Sequence, residues 1–150
     1  MNEKGYPFTL MPGELIYEFE SISAHKRIQK AVLFTAARNR KVFNLALVDV
    51  LDDGEISDQI ESNNGDLYIV LATIFAITDH FLEKHPDCTV GFRGSDKRRH
   101  RLYRIAIARE LSSISRKFDV YGEISGNLHP FKANIDYVNH FVRRHYDERS

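Results

Sequence analysis

Leu15-Ile-Tyr-Glu-Phe-Glu-Ser-Ile22 sets Tyr17 and Phe19 against Glu18 and Glu20 in strict alternation, the period of a strand with one face in a core and the other in water. Two further β-rich runs follow, Arg27-Ile-Gln-Lys-Ala-Val-Leu-Phe-Thr35 and Lys41-Val-Phe-Asn-Leu-Ala-Leu-Val-Asp49, separated by the polar turn Arg38-Asn-Arg40. Three strands in succession predict an antiparallel meander over residues 15 to 50. Asp52-Asp53-Gly54-Glu55 then carries the Asp-Gly dipeptide of a tight turn and leads into a short strand near Glu55 to Ser57. After Asn63-Asn-Gly-Asp66, a helix start, the period changes. Leu67, Val70, Leu71, Ile74, Ile77 and Phe81 recur at helical spacing until His85-Pro86 stops the run.

Cys88-Thr-Val-Gly-Phe92 is short, apolar and bounded by turn residues, as a buried strand is. A second helix is expected from about Asp96 to Ser115. It would pack Tyr103, Ile107, Leu111 and Ile114 inward and project Lys97, Arg101 and Arg104 from a separate face. Phe118 to Ile124 is a further strand, Ser125 to Pro130 a loop, and residues 135 to 142 an edge strand, with a short helix as the alternative. The predicted fold is therefore α+β, a meander followed by helix-strand-helix-strand, with two helices on a mixed sheet of five or six strands. Over residues 14 to 124 this order resembles ribonuclease H-like domains, although element order by itself transfers no function. Residues 1 to 13, with two prolines and two glycines, are expected to form a flexible arm ahead of a single domain spanning 14 to 150.

At 150 residues, 43% hydrophobic and 28% charged, the chain has the profile of one globular domain that buries about 70% of its unfolded surface and needs no staples. Its one cysteine, Cys88, excludes an internal disulfide and a cysteine zinc cage, fits a reducing compartment, and is expected to serve packing. The amino terminus lacks the apolar stretch of a secretory signal, and no window approaches the ~18 apolar residues of a membrane span. A cytoplasmic location is the expectation.

Charge supplies the functional signal. Phe92-Arg-Gly-Ser-Asp-Lys-Arg-Arg-His-Arg-Leu-Tyr-Arg104 holds six Lys/Arg and one acid between Arg93 and Arg104, leaving 15 basic and 20 acidic residues elsewhere in a chain of zero net charge. Basic residues at a helix start oppose the helix dipole, so their concentration there points to an anionic ligand. Free N–H groups, close backbone approach at Gly94, the Ser95 hydroxyl and forked contacts from Arg93, Arg98, Arg101 and Arg104 suit a phosphate. The competing reading is a helix capped by Ser95 or Asp96 whose arginines form a solvated face or pair with the acidic segment.

The other chemistries fit less well. Residues 49 to 66 hold seven acids and no base, but with Gly54 at the sixth position of a calcium loop, Leu51 and Ile60 stand where carboxylates are needed. Two-metal nuclease chemistry needs clustered acids at the sheet end, and Glu18, Glu20 and Asp96 are sparse candidates beside Arg93. Ser95 lacks a nucleophile elbow, and His140 and His145, five apart, do not share a helical face. His100, among the arginines, reads as a surface histidine.

Ser62-Asn-Asn-Gly-Asp66, Gly94-Ser95 and Arg101-Leu-Tyr-Arg104 together resemble a small bacterial family of unknown function, over about Tyr17 to Phe141. The resemblance implies a short standalone α+β protein with Asn63, Gly65, Asp66, Gly94, Ser95, Arg101, Tyr103 and Arg104 at signature positions, and implies no activity. Candidate anion-binding residues are thus Arg93, Gly94, Ser95, Arg98, Arg101, Tyr103 and Arg104, supported by Asn63, Gly65 and Asp66. No catalytic residue, metal site or cofactor is assigned. The expected partner is nucleic acid or a nucleotide. The alternatives are a protein partner in a toxin–antitoxin or similar regulatory pair, and a metal-dependent nuclease or phosphatase.

Overall fold

The computed structural model describes residues 4–23, 26–53, 56–57, 66–92, 97, 100–101, 103–104, 107–108, 116–132 and 134–145. The alternating run becomes strand β2 (Ile16–Ile22), flanked by β1 (Phe8–Leu10) and β3 (Arg27–Ala36), with β4 (Val42–Val50) beyond and the two-residue β5 (Ile56–Ser57) on β4's far end. All these pairs are antiparallel. Tyr17 faces Val32 and Val32 faces Leu47, which puts the inward aromatic set of β2 over the aliphatic set of β3 and β4.

Helix α1 (Leu67–Lys84) buries Val70, Leu71, Ile74, Ile77, Phe81 and Leu82, and its Phe81 ring stacks on Phe34 at 4.0 Å. Each such side chain contributes roughly 1.5–3 kcal/mol by leaving water, which outweighs the modest helix propensity of a segment rich in isoleucine and threonine. Proline at position 86 ends the helix, and the His85 N–H closes the last turn on the Phe81 carbonyl.

α1 is the crossover between β4 and the parallel strand β6 (Thr89–Phe92). Beyond β6 lie β9 (His140–Arg144), β7 (Phe118–Ile124) and β8 (Asn127–Pro130), giving the order β1-β2-β3-β4-β6-β9-β7-β8 with β5 attached to β4. Among the described residues between 97 and 108, Lys97, His100, Arg101, Tyr103, Arg104, Ile107 and Ala108 are helical. Tyr103 and Ile107 are buried in the same core as α1.

The α+β class and the mixed sheet match expectation, but the sheet is larger than five or six strands and its order is not ribonuclease H-like. A strand-helix-strand unit would seat β6 and β7 side by side, whereas β9 lies between them, antiparallel to both. Of the edge strand expected over 135–142, residues 140–142 belong to the central β9 and residues 135–139 are neither strand nor helix. The stretch read as a loop at 125–130 makes a hairpin, with Ser125 (φ 52°) and Gly126 (φ 82°) as its two-residue turn. Within the stretch expected as a flexible arm, Phe8–Leu10 pairs with β2, and Gly5 sits so close to Thr73 that a Cβ there would lie 2.9 Å from its backbone. None of the helices searched among the described residues is long and apolar enough to cross a membrane.

Candidate functional site

Strands β2, β4, β6 and β7 run in one direction and β1, β3, β5, β8 and β9 in the other, so one rim of the sheet collects the carboxyl ends of the first four and the amino ends of the rest. Carboxyl ends of parallel strands are where open sheets with crossover helices place their ligands. Along this rim the buried face turns from apolar to polar, in two places.

The first lies under the start of α1. Lys30 and Asp49 face each other across β3 and β4, Nζ to Oδ1 2.6 Å, with the Lys30 side chain 2% exposed. Next to them the Asp66 carboxylate, also buried, accepts hydrogen bonds from the Tyr6 hydroxyl (2.6 Å) and from the Ser21 hydroxyl. Asp66 is the residue preceding α1, yet its side chain caps nothing; it ties the helix start to β2 and to the amino-terminal segment. The Tyr6 phenol is pushed above its usual range by burial and by that carboxylate.

The second centres on His140. Its paired neighbours are Phe92, the last residue of β6, and Gly122 of β7. A Cβ on Gly122 would come 2.1 Å from the Tyr137 ring, so only glycine lets Tyr137 lie flat over β7 beside the histidine. Tyr137, Phe131 and His100 surround His140 at ring-centroid distances of 5.8, 5.5 and 5.2 Å. His140 is 0% exposed, and among the described residues neither ring nitrogen has a hydrogen-bond partner. Burial first, then the nearby His100 and Arg104, hold its pKa down at about 4, so the ring is neutral near pH 7. Leu45 pairs with Phe92 and stands four residues before Asp49 on β4, so the two polar places are separated by about 13 Å along the strands.

Over the second place passes the basic helical segment. Tyr103 packs edge-on against Phe92 at 5.9 Å and, with Ile107, fixes the segment to the core. Tyr103, a candidate ligand contact, is thus an anchor. Lys97 and Arg101 are exposed. Arg104 Nη1 and His100 Nε2 lie 3.6 and 3.8 Å from Asp136 Oδ1, and Asp136 is 82% exposed, so water screens both pairs. Arg143, on the opposite face of the sheet, is already engaged by the Tyr121 hydroxyl (2.8 Å), the Tyr121 ring and Asp119. Arg93, Gly94, Ser95, Arg98, Asn63 and Gly65 lie outside the described residues. In sequence, 93–95 follow Phe92, and Asn63 and Gly65 precede Asp66. Glu18 points to the side of β2 opposite Tyr17 and Phe19, as does Glu20, which pairs with the exposed Arg27. Neither acid reaches this rim's buried face. Among the described residues no three His, Cys, Asp or Glu side chains gather as a metal would require.

A family model matches residues 2–145, nearly the whole chain. The chain belongs to the family of unknown function DUF6934. No curated protein and no solved structure matches it. DUF6934 membership names no ligand, so chemistry has to be argued from this rim. Reading the sequence missed Lys30, Asp49, Tyr6, Ser21 and His140. Lys30 offered a faint signal: it stands at an inward position of an otherwise apolar strand period, where a charge is costly unless paired.

Proposed function

We propose that the carboxyl rim binds a phosphate-bearing ligand, a nucleotide or nucleic acid, with Arg101, Arg104 and Lys97 supplying cationic contacts and Arg93, Gly94, Ser95 and Arg98 completing the site. One observation carries the reading: a helical segment whose Tyr103 and Ile107 are locked in the core turns its basic side outward, and its one described carboxylate neighbour is the solvated Asp136. A screened pair of this kind is worth little and yields readily to a phosphate, which accepts forked hydrogen bonds from arginine. Replacing Arg101 and Arg104 together with glutamine tests it. Binding to single-stranded RNA should weaken, and the slope of log affinity against log salt should flatten by about 1.4, near 0.7 per lost phosphate contact. Circular dichroism must show the fold intact. Salt-sensitive binding that the double replacement leaves unchanged would place the site elsewhere.

A second reading, docking of a protein partner in a regulatory pair, draws on exposed Ile124, Leu128 and Val138. Glu123 joins them: it pairs with Leu128, and its carbonyl accepts from Val138. Absence of nucleic-acid binding by the wild type at low salt favours it.

A further inference from the structure

We propose that His140 is the inner contact of a recessed pocket for a terminal phosphate monoester, reached beneath His100 and flanked by Arg104. The inference rests on the phosphate-binding reading and narrows it from phosphate in general to a chain end or a mononucleotide. Its starting point is a buried side chain that is costly as it stands. A buried donor and a buried acceptor left unpaired are each unfavourable, and a phenylalanine or leucine of similar volume would fill the same aromatic nest without that cost. Gly122 and the Tyr137 ring above it shape the nest, so the imidazole sits in a space built around it. The histidine also occupies the one position of β9 that pairs with Phe92, the last residue of β6.

An oxygen arriving from the helical side would find three kinds of contact in one place. The neutral His140 ring would donate one N–H and the Arg104 guanidinium would exchange the screened Asp136 for the ligand, which requires His100, 20% exposed at its side chain, to give way. Depth decides the ligand class. His140 has no exposed surface, and an internal phosphodiester, carrying a sugar on each side, cannot bring an oxygen that far in. A terminal monoester presents three oxygens on a single stem and can. Its second negative charge also suits the Arg104 guanidinium.

The test compares a short RNA oligomer with and without a 5′-phosphate, on the wild type and on His140→Phe. The wild type should prefer the phosphorylated oligomer by about tenfold, the effect of one charge-assisted contact. His140→Phe should lose that preference while keeping the weaker, salt-dependent binding of both oligomers. A variant that retains the preference overturns the proposal and leaves the broader reading standing, whereas a wild type that binds neither oligomer at low salt removes both. Should His140→Phe misfold, the wild type still decides: adding inorganic phosphate should shift the His140 ring nitrogens in a long-range proton–nitrogen spectrum, and their indifference to phosphate at saturation would overturn the proposal.

Discussion

The buried Lys30–Asp49 pair makes a sharp prediction, because its two charges depend on each other. Lys30 is 2% and Asp49 12% exposed at the side chain, and the 2.6 Å contact joins directly opposed positions of neighbouring strands. Removing Lys30 takes from the Asp49 carboxylate its 2.6 Å partner in a place water scarcely reaches, and removing Asp49 takes the same contact from Lys30. Lys30→Met or Asp49→Leu should therefore each cost about 3–5 kcal/mol, a fifth or more of the roughly 5–15 kcal/mol that stabilises a domain. For a chain of this size that lowers Tm by about 6–20 °C. The double replacement restores an apolar row between Phe19 and β4 and should recover most of the loss, so the cycle is strongly non-additive. Urea denaturation of all four proteins at pH 7 measures it. A double variant that loses the sum of the single losses would refute the reasoning, since it would mean that neither charge relies on the other.

Three further outcomes follow from the second polar place. His140 has a folded pKa of about 4 against an ordinary 6.5, so the unfolded chain takes up its proton first as the pH falls. This difference in proton uptake has no effect above about pH 6.5 and removes up to about 3 kcal/mol of stability by pH 4. Burial is the main cause of this value, with His100 and Arg104 lowering it further and Asp136 opposing them, and His140→Phe should flatten the stability profile between those pH values; parallel profiles would contradict the burial of a neutral imidazole. Gly122→Ala should destabilise by about 1–3 kcal/mol or more, because the new methyl meets the Tyr137 ring at 2.1 Å, and an unchanged urea midpoint would mean that Tyr137 does not lie over β7. Phe81→Ala, which removes the ring stacked on Phe34, should cost about 3–5 kcal/mol in the same assay, and a loss below 1 kcal/mol would mean that α1 does not pack as described.

Strands with clean alternation and the long apolar helix were legible in the sequence because their periodicity comes from burial itself. β2, β3, β4, α1, β6 and β7 lie within a residue or two of where the pattern puts them. The misses share a cause. β9 carries a histidine at its inward position and arginines at its end, so a buried strand scores as polar; β8 is exposed along its whole length and starts after Ser-Gly rather than Asn-Gly. β1 has three residues and forms only because β2 offers an edge. Strand order is a matter of which edges are free after folding, which element succession does not encode, and so the ribonuclease H-like order failed while the class held. At the site, the basic helix was legible as a charge anomaly. The partners lie 19 to 60 positions apart, Lys30 with Asp49, Ser21 and Tyr6 with Asp66, and His140 with Phe92, and leave no local spacing to read.

The binding surface itself is tested most directly by titrating isotope-labelled protein with inorganic phosphate and mapping amide shift changes. Changes are expected to gather at Phe92, across residues 93–104 and at His140, with Arg143, Arg144 and His145 unmoved. Changes centred on that second basic cluster of β9, with the 93–104 stretch silent at saturation, would contradict phosphate recognition at the carboxyl rim.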